Sequence, residues 1–244
     1  MSTLFISDLH LDGSKPETIN LFHEFIRCEA FTSEHLYILG DLFEAWIGDD
    51  DDNPEYRRII QTLRKLTDGG IPVSVMRGNR DFLMADKFAR DTGCTLLDDP
   101  TLIDLYGTPT LLMHGDSLCT DDTEHMAYRQ VVLNPQWQQQ ILSKPIEERR
   151  DMALEIRAIS NVSKQSKTDE IMDVNLDMVN NTMLENNVTQ LIHGHTHRPN
   201  IHETDLNGKA CRRMVLGDWH GSHGSVLRCD SKGCQLDSYA GVIA

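Results

Sequence analysis

Short apolar runs alternate with amphipathic stretches over the first half of the chain. The runs at 3–8, 35–40 and 72–77 predict strands, because each is short, rich in apolar residues and followed by a glycine or a polar loop. Between them, apolar residues recur at helical spacing over 16–28 and 54–67, and each of these stretches begins at a proline. This alternation predicts a layered α/β fold.

The second half of the chain follows a different pattern. Residues 120–186 are polar and helical in character, with almost no strand signal, and they lie between two predicted strands. We expect this segment to form a helical insert that covers the active site as a substrate lid. The other elements predicted are a short helix over 83–92, two strands within 95–113 around the turn at 106–109, a strand at 188–193 and short strands in 198–243. The predicted divisions are a core of 1–119 and 187–244 and a helical insert of 120–186.

Residues of the types that bind metals follow the apolar runs directly. In chain order they are Asp8, His10, Asp41, Asn79, His114, His195 and His197. Most of them adjoin a glycine, as in Gly40-Asp41 and Gly194-His195. The carboxyl ends of neighbouring parallel strands meet at one edge of a sheet, so these side chains are predicted to converge there.

Seven donors are more than a single tetrahedral metal requires. Two carboxylates, one amide oxygen and four imidazoles suit two cations that share a bridging carboxylate. Hard oxygen donors mixed with imidazoles favour Mn, Fe or Zn over Mg or Ca. Two such cations, about 3.5–4 Å apart, can activate water and stabilise a phosphoryl group during in-line displacement. The donor set therefore predicts a metal-dependent hydrolase.

The net charge excludes one broad class of partner. The chain carries 23 basic and 38 acidic residues, a net charge of −15, which disfavours general nucleic-acid binding. No apolar stretch approaches the roughly 20 residues of a membrane-spanning helix. The chain enters its first strand without a signal peptide, so a cytosolic location is expected, with attachment to a membrane surface left open.

Two further features have simple interpretations. The six cysteines form no C-x-x-C pair, and we expect free thiols rather than disulfides. The run Asp49-Asp50-Asp51-Asp52 lacks the spaced ligands of a calcium loop and is predicted to be a solvated turn.

Five motifs together carry a family resemblance. The segments Asp8-x-His10, Gly40-Asp41, Gly78-Asn79-Arg80-Asp81, His114-Gly115-Asp116 and Gly194-His195-Thr196-His197 match, in order, the motifs of the calcineurin-like metallophosphoesterases. The resemblance spans nearly the whole chain and implies a metal-bearing β-sandwich flanked by helices. It assigns Asp8, His10, Asp41 and His197 to one metal and Asp41, Asn79, His114 and His195 to the other, with Asp41 bridging and Arg80 beside them as a catalytic residue.

A closer likeness concerns the substrate. The Asn79-Arg80-Asp81 variant, the N-terminal run 4–11 and the size of the insert resemble those family members that cleave a UDP-activated diacylglucosamine in lipid A biosynthesis. The likeness implies two Mn²⁺ ions, water attack on the α-phosphorus, release of UMP and diacylglucosamine 1-phosphate, and a peripheral location on the cytoplasmic face of the bacterial inner membrane. We expect a monomer. The substrate contacts that it implies are Asn79, Arg80, Asp122, Ser160, Asn161, Lys164, Lys167 and His195.

The insert supports this interpretation. Ser160, Lys164 and Lys167 share one helix face with Arg157, and residues 144–167 carry a net charge of +2. A solvated mixed-charge face is the alternative. We also hypothesise that apolar insert residues line a chamber for acyl chains, against the alternative of ordinary helix packing. These residues are Val131, Val132, Leu133, Trp137, Ile141, Leu142, Met152, Leu154 and Ile156.

Several alternatives stay open at this stage. Another phosphoesterase activity, on a nucleotide or a phosphoprotein, and a scaffold without catalysis both fit the fold. Arg80 either balances charge on phosphate or pairs with Asp81, and Asp116 either orients a ligand imidazole or caps a turn. Asp218 is interpreted as part of a turn that supports the site. Histidines outside the motifs are interpreted as surface or hydrogen-bonded residues, namely His23, His35, His125, His202, His220 and His223.

Overall fold

Two sheets packed face to face form the centre of the molecule. The computed structural model describes residues 1–168 and 170–241, and of residues 161 and 164–166 it describes only the backbone. The strands are β1 (Thr3–Ile6), β2 (His35–Leu39), β3 (Val73–Met76), β4 (Thr95–Leu97), β5 (Thr101–Leu105), β6 (Thr108–Met113), β7 (Gln190–His193), β8 (Asn200–Leu206), β9 (Lys209–Val215), β10 (His223–Asp230) and β11 (Gly233–Ala240). The helices are α1 (Pro16–Cys28), α2 (Pro54–Asp68), α3 (Asp86–Thr92), α4 (Thr123–Val132), α5 (Pro135–Leu142), α6 (Ile146–Ser166) and α7 (Leu176–Glu185), with short 3-10 turns at Ala30–Thr32 and Asp116–Leu118.

Both sheets combine parallel and antiparallel strands: the first is antiparallel only on its β10–β11 side, and the second is antiparallel at both edges. The first sheet has the order β11-β10-β1-β2-β3-β4, in which β1 to β4 are parallel. The second has the order β5-β6-β7-β9-β8, in which β6, β7 and β9 are parallel. The parallel strands of both sheets are the ones whose carboxyl ends carry the predicted ligands. This arrangement confirms the predicted α/β sandwich flanked by helices.

Alternation along the strands divides the core into layers. In β1, Phe5 packs between the sheets with Leu112 and Ile192 of the second sheet, whereas Leu4 and Ile6 belong to the cluster with the helices. Successive side chains of a strand point to opposite faces, so one strand serves both layers. The outer face of the first sheet is covered by α1, α2 and α3, and that of the second by α7. The strand ends are thereby fixed on both sides.

The helices α4 to α7 occupy the crossover between two neighbouring strands. The chain leaves the second sheet after β6 and returns to it at β7, which pairs with β6 in parallel register from Thr110↔Gln190 onward. A parallel connection must cross over the sheet, and helices usually form it. Within residues 1–168 and 170–241, no helix is both long enough and apolar enough to cross a membrane.

The structure corrects three predictions. Residues 95–113 form three strands rather than two, because the segment around Asp99-Pro100 is not a strand and separates β4 from β5. Cys229 and Cys234 form a disulfide, since the β10–β11 hairpin places them opposite each other in register. The cysteines that are free are Cys28, Cys94, Cys119 and Cys211.

The third correction is partial: the acidic run is a turn in which Asp50 and Asp52 stay more than half exposed, but its carboxylates also pair with other parts of the protein. Asp49 accepts hydrogen bonds from the Trp46 indole (3.0 Å) and from the backbone of α3 at Phe88 (2.9 Å). Asp50, Asp51 and Asp52 contact two arginines of α6. The loop is therefore a contact between the sandwich and the helical segment.

Candidate metal centre

All seven predicted ligands meet in one cleft at the carboxyl ends of the central strands. They come from the loops after β1, β2, β3, β6 and β7, which the parallel pairing brings side by side. Five of them line or border a cleft of about 1060 Å³ that opens toward α4 and α6, namely His10, Asp41, Asn79, His195 and His197. Asp8 and His114 lie beneath them and are fully buried.

One group of donors gathers around Asp8. His197 Nε2 lies 3.3 Å from Asp8 Oδ1 and 3.2 Å from His10 Nε2. The other carboxylate oxygen of Asp8 accepts hydrogen bonds from the Ser7 hydroxyl (2.6 Å) and the His195 amide (2.8 Å). Asp8 is thus fixed through one oxygen while the other faces two imidazoles, an arrangement suited to a cation.

A second group gathers around His114. Its Nε2 lies 3.1 Å from Asn79 Oδ1 and 3.7 Å from Asp41 Oδ1. Its Nδ1 lies 2.9 Å from the carbonyl oxygen of Leu39, which accepts from the ring and leaves Nε2 directed at the other donors. The ring of His195 stands 5.1 Å from that of His114, edge to face.

Asp41 faces both groups. Its Oδ1 is on the side of His114, and its Oδ2 lies 3.9 Å from His10 Nδ1. The Arg80 amide donates to Oδ1 at 2.9 Å and holds the carboxylate in this orientation. This position between the two groups is the one that a bridging carboxylate requires.

The backbone at the ligands is unusual. Asp8, His10, Asp41, His195 and His197 all have positive φ, between 47° and 67°. Side-chain-bearing residues adopt this left-handed region rarely, at a cost of about 1–3 kcal/mol each when the surroundings impose it. Such tight turns bring two ligands from a single loop, as in Asp8-x-His10, to the same point. The packed sheet and helix layers must supply the stability that offsets this strain.

The glycines beside the ligands are required by close packing. A Cβ at Gly40 would lie 2.3 Å from His114 Nδ1, and one at Gly78 would lie 2.2 Å from Asp41 Oδ1. A Cβ at Gly194 would lie 2.4 Å from Asp8 Oδ2. Each glycine thus leaves room for a ligand that belongs to another loop.

The ligand atoms fit divalent cations. Among the described residues, Asp8 Oδ1 and His10 Nδ1 are buried and have no hydrogen-bond partner, a costly state for polar atoms unless a cation contacts them. Two triads have ligand atoms within 4.8 Å of one another. They are Asp8, His10 and His197, and Asp8, Asp41 and His114. Mixed carboxylate, amide and imidazole donors are those of divalent transition-metal sites.

The pKa values of the ligands show how strongly they depend on one another. Burial would raise the pKa of Asp8, but the adjacent His197 imidazole, 3.3 Å from Oδ1, holds it below its ordinary value. Burial would lower the pKa of His114, yet the carboxylates of Asp41 and Asp8 raise it to about 9. Protonated imidazoles therefore balance these carboxylates, and cation binding replaces the protons because imidazole binds metals in its neutral form.

Comparison with known proteins agrees with this geometry. The family model of the calcineurin-like phosphoesterases matches residues 1–199. The chain belongs to the calcineurin-like phosphoesterase family. It is 50% identical over 239 residues to a UDP-2,3-diacylglucosamine hydrolase of Cellvibrio japonicus, an alignment that covers 98% of this chain and 99% of that relative.

Two further relatives carry the same name. The hydrolase of Marinobacter nauticus is 51% identical over 219 residues, covering 90% of each chain. That of Photobacterium profundum is 47% identical and covers 98% of this chain and 97% of the relative. The family resemblance of the sequence motifs is thereby confirmed, and the family together with its buried donor cluster supports divalent metals in this phosphoesterase.

Arg80 pairs with Glu44 and Asp41, not with Asp81, the partner that the sequence also suggested. Its guanidinium forms an ion pair with Glu44, and its Nε lies 3.6 Å from Asp41 Oδ2. Asp81 instead accepts from the backbone amides of Leu42 (2.8 Å) and Gly78 (2.6 Å), so it fixes the two ligand loops. Arg80 lines the cleft beside the metal ligands, where a phosphate of the substrate would bring negative charge.

Residues of the helical segment close the other side of the cleft. Ser160 lines it, and Lys167 Nζ pairs with Asp122 at 2.6 and 2.9 Å. The side chains of Asn161 and Lys164, two predicted substrate contacts, lie outside the described residues. Asp122, Ser160 and Lys167 therefore line the same cleft as the metal ligands, but they belong to the helical segment and not to the sandwich.

Four residues at the site carried no strong sequence signal. His125, interpreted from the sequence as a surface or satisfied residue, stands 5.0 Å from the His195 ring and has a buried Nε2 without a hydrogen-bond partner among the described residues. Glu44, Tyr128 and Arg157 border the clefts at the site. Of the four, Arg157 has the weak signal of its place on the predicted basic helix face, and the others do not directly follow a strand end.

Two carboxylates support ligand rings or their neighbours. Asp218 Oδ2 lies 3.6 Å from the outer nitrogen, Nδ1, of His197, in agreement with its predicted place in a supporting turn. Asp116 accepts from Arg129 at 2.9 Å and lies 3.8 Å from His125. Asp116 therefore contacts two side chains of α4.

Proposed function

We propose that this phosphoesterase hydrolyses the pyrophosphate bond of UDP-2,3-diacylglucosamine to UMP and 2,3-diacylglucosamine 1-phosphate, a step of lipid A biosynthesis. The observation that carries the proposal is that the chain is 47–50% identical, over nearly its full length, to relatives named for this substrate. The convergence of all seven predicted ligands in one cleft supports it independently.

The proposed metal ligands follow the two groups of donors. Asp8, His10, Asp41 and His197 would hold one cation, and Asp41, Asn79, His114 and His195 the other. Two divalent cations, which we propose to be Mn²⁺, supply an activated water and neutralise charge on the phosphoryl oxygens. The protein fixes the positions of these groups through the strained turns and the glycine contacts.

Charged side chains above the donors suit a diphosphate. Arg157 Nη1 lies 3.5 Å from Glu44 Oε1 and has no hydrogen-bond partner among the described residues. Arg80 pairs with the same oxygen of Glu44. A diphosphate entering between these guanidiniums would receive charge-assisted hydrogen bonds from both, and we propose that this pair orients the scissile bond.

The helical segment 120–186 is the proposed substrate lid. Its polar contacts would be Asp122, Ser160, Asn161, Lys164 and Lys167, added to Asn79, Arg80 and His195 of the sandwich. Its apolar contacts would come from a smaller cleft between α5, α6 and the loop after β2. That cleft is lined by Trp46, Phe82, Trp137, Ile141, Met152 and Ile156. A lid of this kind excludes water from the scissile bond.

The proposed location follows from the substrate. The two acyl chains of the substrate belong in a bilayer, so we propose that the protein works as a peripheral monomer on the cytoplasmic face of the inner membrane. Leu154, Ile159 and Val162 of α6 are more than two thirds exposed, the last two at the cleft, and suit contact with lipid. The overall charge of −15 opposes general attraction to anionic lipid.

The decisive assay uses the lipid substrate in detergent with Mn²⁺ and separates the products. We expect UMP release that is abolished by a chelator and by His10→Ala and retained in His202→Ala, a histidine of β8 that lies outside the cleft. In water enriched in heavy oxygen, label on UMP would place the attack at the α-phosphorus. Turnover of simple phosphodiesters without turnover of this lipid would leave the family assignment intact and overturn the proposed substrate.

A further inference from the structure

The helix α6 carries the substrate-facing side chains but has little apolar packing of its own. Leu154, Ile159 and Val162 are 68–69% exposed. The most buried residue among the side chains described in α6 is Arg149, at 3% exposure. An isolated helix is marginal in water and depends on contacts made by its buried face. A charged residue therefore occupies the place that an apolar one would normally take.

The guanidinium of Arg149 holds the loop after β2 and also bonds to the segment that leads into α6. Nη1 donates to the carbonyl of Ile47 and to Asp50 Oδ1, both at 2.7 Å, and Nη2 donates to Asp50 Oδ2. Nε donates to the carbonyl of Lys144 at 3.1 Å, at the start of α6. A planar fork with several fixed donors suits such a bidentate contact, which a lysine cannot reproduce. We name the contact of Arg149 with Ile47 and Asp50 the Arg149 anchor.

Gly48, which lies between Ile47 and Asp50, fits closely against the guanidinium of Arg149. Gly48 has φ of 135°, and a Cβ there would lie 2.4 Å from Arg149 Nη1 and 2.9 Å from Leu142 Cδ2. Both the backbone conformation and the space thus favour glycine. The loop and the guanidinium fit each other closely, which distinguishes this contact from the neighbouring, more exposed pair of Arg150 with Asp52.

The same loop also carries a metal ligand. It begins at Asp41, between the two donor groups, and passes Glu44, which contacts Arg80 and Arg157. It then reaches the Arg149 anchor. Since Arg157 lies eight residues beyond Arg149, the two side chains are about 12 Å apart along the helix axis. One loop therefore holds the ligand, the arginine pair and the base of α6 in a fixed order.

We propose that the Arg149 anchor is the positioning device that sets Arg157 and Ser160 over the metal ligands, and through them governs binding of the lipid substrate. This rests on the proposed function for the identity of that substrate. Arg149 itself would not contact the substrate, and its effect would pass through α6. A merely stabilising ion pair would instead change the unfolding temperature and leave the substrate KM unchanged.

Three variants weaken the anchor in different ways. Arg149→Met removes it, Arg149→Lys keeps the charge without the fork, and Gly48→Ala keeps the arginine but displaces it. Folding should survive, because Asp50 is 57% exposed and is not left as a buried charge. Arg150→Met is the matched control, because Arg150 lies on the same helix and pairs with the same loop from a half-exposed position.

The measurements are KM and kcat with the lipid substrate, thermal unfolding, and hydrogen exchange of the α6 amides. We expect Arg149→Met to raise KM about tenfold or more and to lower kcat as well, because the displaced Arg157 would bind and orient the diphosphate less well. Arg149→Lys should be intermediate, Gly48→Ala should resemble Arg149→Met, and Arg150→Met should change KM less than about twofold. Exchange in α6 should become faster in the first three variants only.

Two results separate the possible failures. If the α6 amides of Arg149→Met exchange at the wild-type rate, or KM stays unchanged while the unfolding temperature falls, the anchor is only a stabilising contact. If the wild type does not hydrolyse the lipid at all, the proposed function fails, and the exchange measurement still decides whether Arg149 fixes α6.

Discussion

The sandwich and the helical segment hold their functional residues by opposite means. In the sandwich, the donors sit at strand ends, four of the seven are buried, and five adopt strained backbone conformations that the packed layers maintain. In the helical segment, Arg157 and Ser160 lie on α6 and Lys167 lies just beyond its end, in a half-exposed region held largely by ion pairs. We propose that the difference separates two tasks: the reacting groups would be preorganised, whereas the part that would recognise the substrate stays adjustable.

The largest expected effect comes from the centre of the rigid region. Asp41→Asn keeps the shape of the side chain but removes the charge that both donor groups face. We expect a loss of roughly a thousandfold or more in kcat, together with loss of bound metal. Elemental analysis and steady-state kinetics measure both. Asp68→Asn, at the exposed end of α2, is the control, and full metal content in Asp41→Asn would contradict the bridging role.

The next effect tests whether packing alone holds a ligand. Gly78→Ala places a methyl group 2.2 Å from Asp41 Oδ1 and leaves the number of charged groups at the site unchanged. We expect kcat to fall about a hundredfold while the protein stays folded. The control is Gly107→Ala, because that glycine has φ of 85° and nothing within 4 Å of the added carbon. Equal activity of the two variants would show that the ligand loops are less rigid than described.

A smaller effect is expected in the adjustable region. Trp137 packs against Phe82 with ring centroids 5.9 Å apart, beside the cleft between α5 and α6, whereas Leu142 is 41% exposed. Trp137→Ala should shift the preferred acyl length and change KM by about tenfold or less. Leu142→Ala is the matched control and should shift it less. Unchanged chain-length preference in Trp137→Ala would remove this cleft from the proposed acyl site.

The smallest effect concerns pH. Hydrogen bonding to Arg149 lowers the pKa of Asp50 below its ordinary value of 3.8. A lowered carboxyl pKa gives stability that is complete above the unfolded value and is lost only as pH falls through the folded one. Protection factors of the α6 amides should therefore stay constant between pH 8 and pH 5. A decline between pH 8 and pH 5 that is absent in Asp50→Asn would show that the pKa of the Asp50 carboxyl is raised and not lowered.

Sequence patterns predicted the rigid region better than the adjustable one. Asp41 and His195 could be found because each follows an apolar run and a glycine, and parallel strands bring such ends together. The β-type periodicity likewise predicted the sandwich. These signals are local, and the topology that joins them follows general rules.

The residues that sequence reasoning missed depend on contacts between distant parts of the chain. Arg149 and Asp50 are 99 residues apart, and nothing near either one indicates the other. The acidic run was expected in water for the same reason. The Cys229–Cys234 disulfide did have a local signal, since the two cysteines flank the turn at 230–233 and face each other once the hairpin forms.

The crossover between β6 and β7 has a consequence for how such a protein can change over generations. Its two ends leave and enter adjacent strands that are already paired with each other. A segment attached in this way can be lengthened, shortened or exchanged while every strand keeps its neighbours. Selection can therefore alter which molecules the cleft admits by rewriting one continuous stretch of the gene, and the chemistry encoded on either side is inherited unchanged.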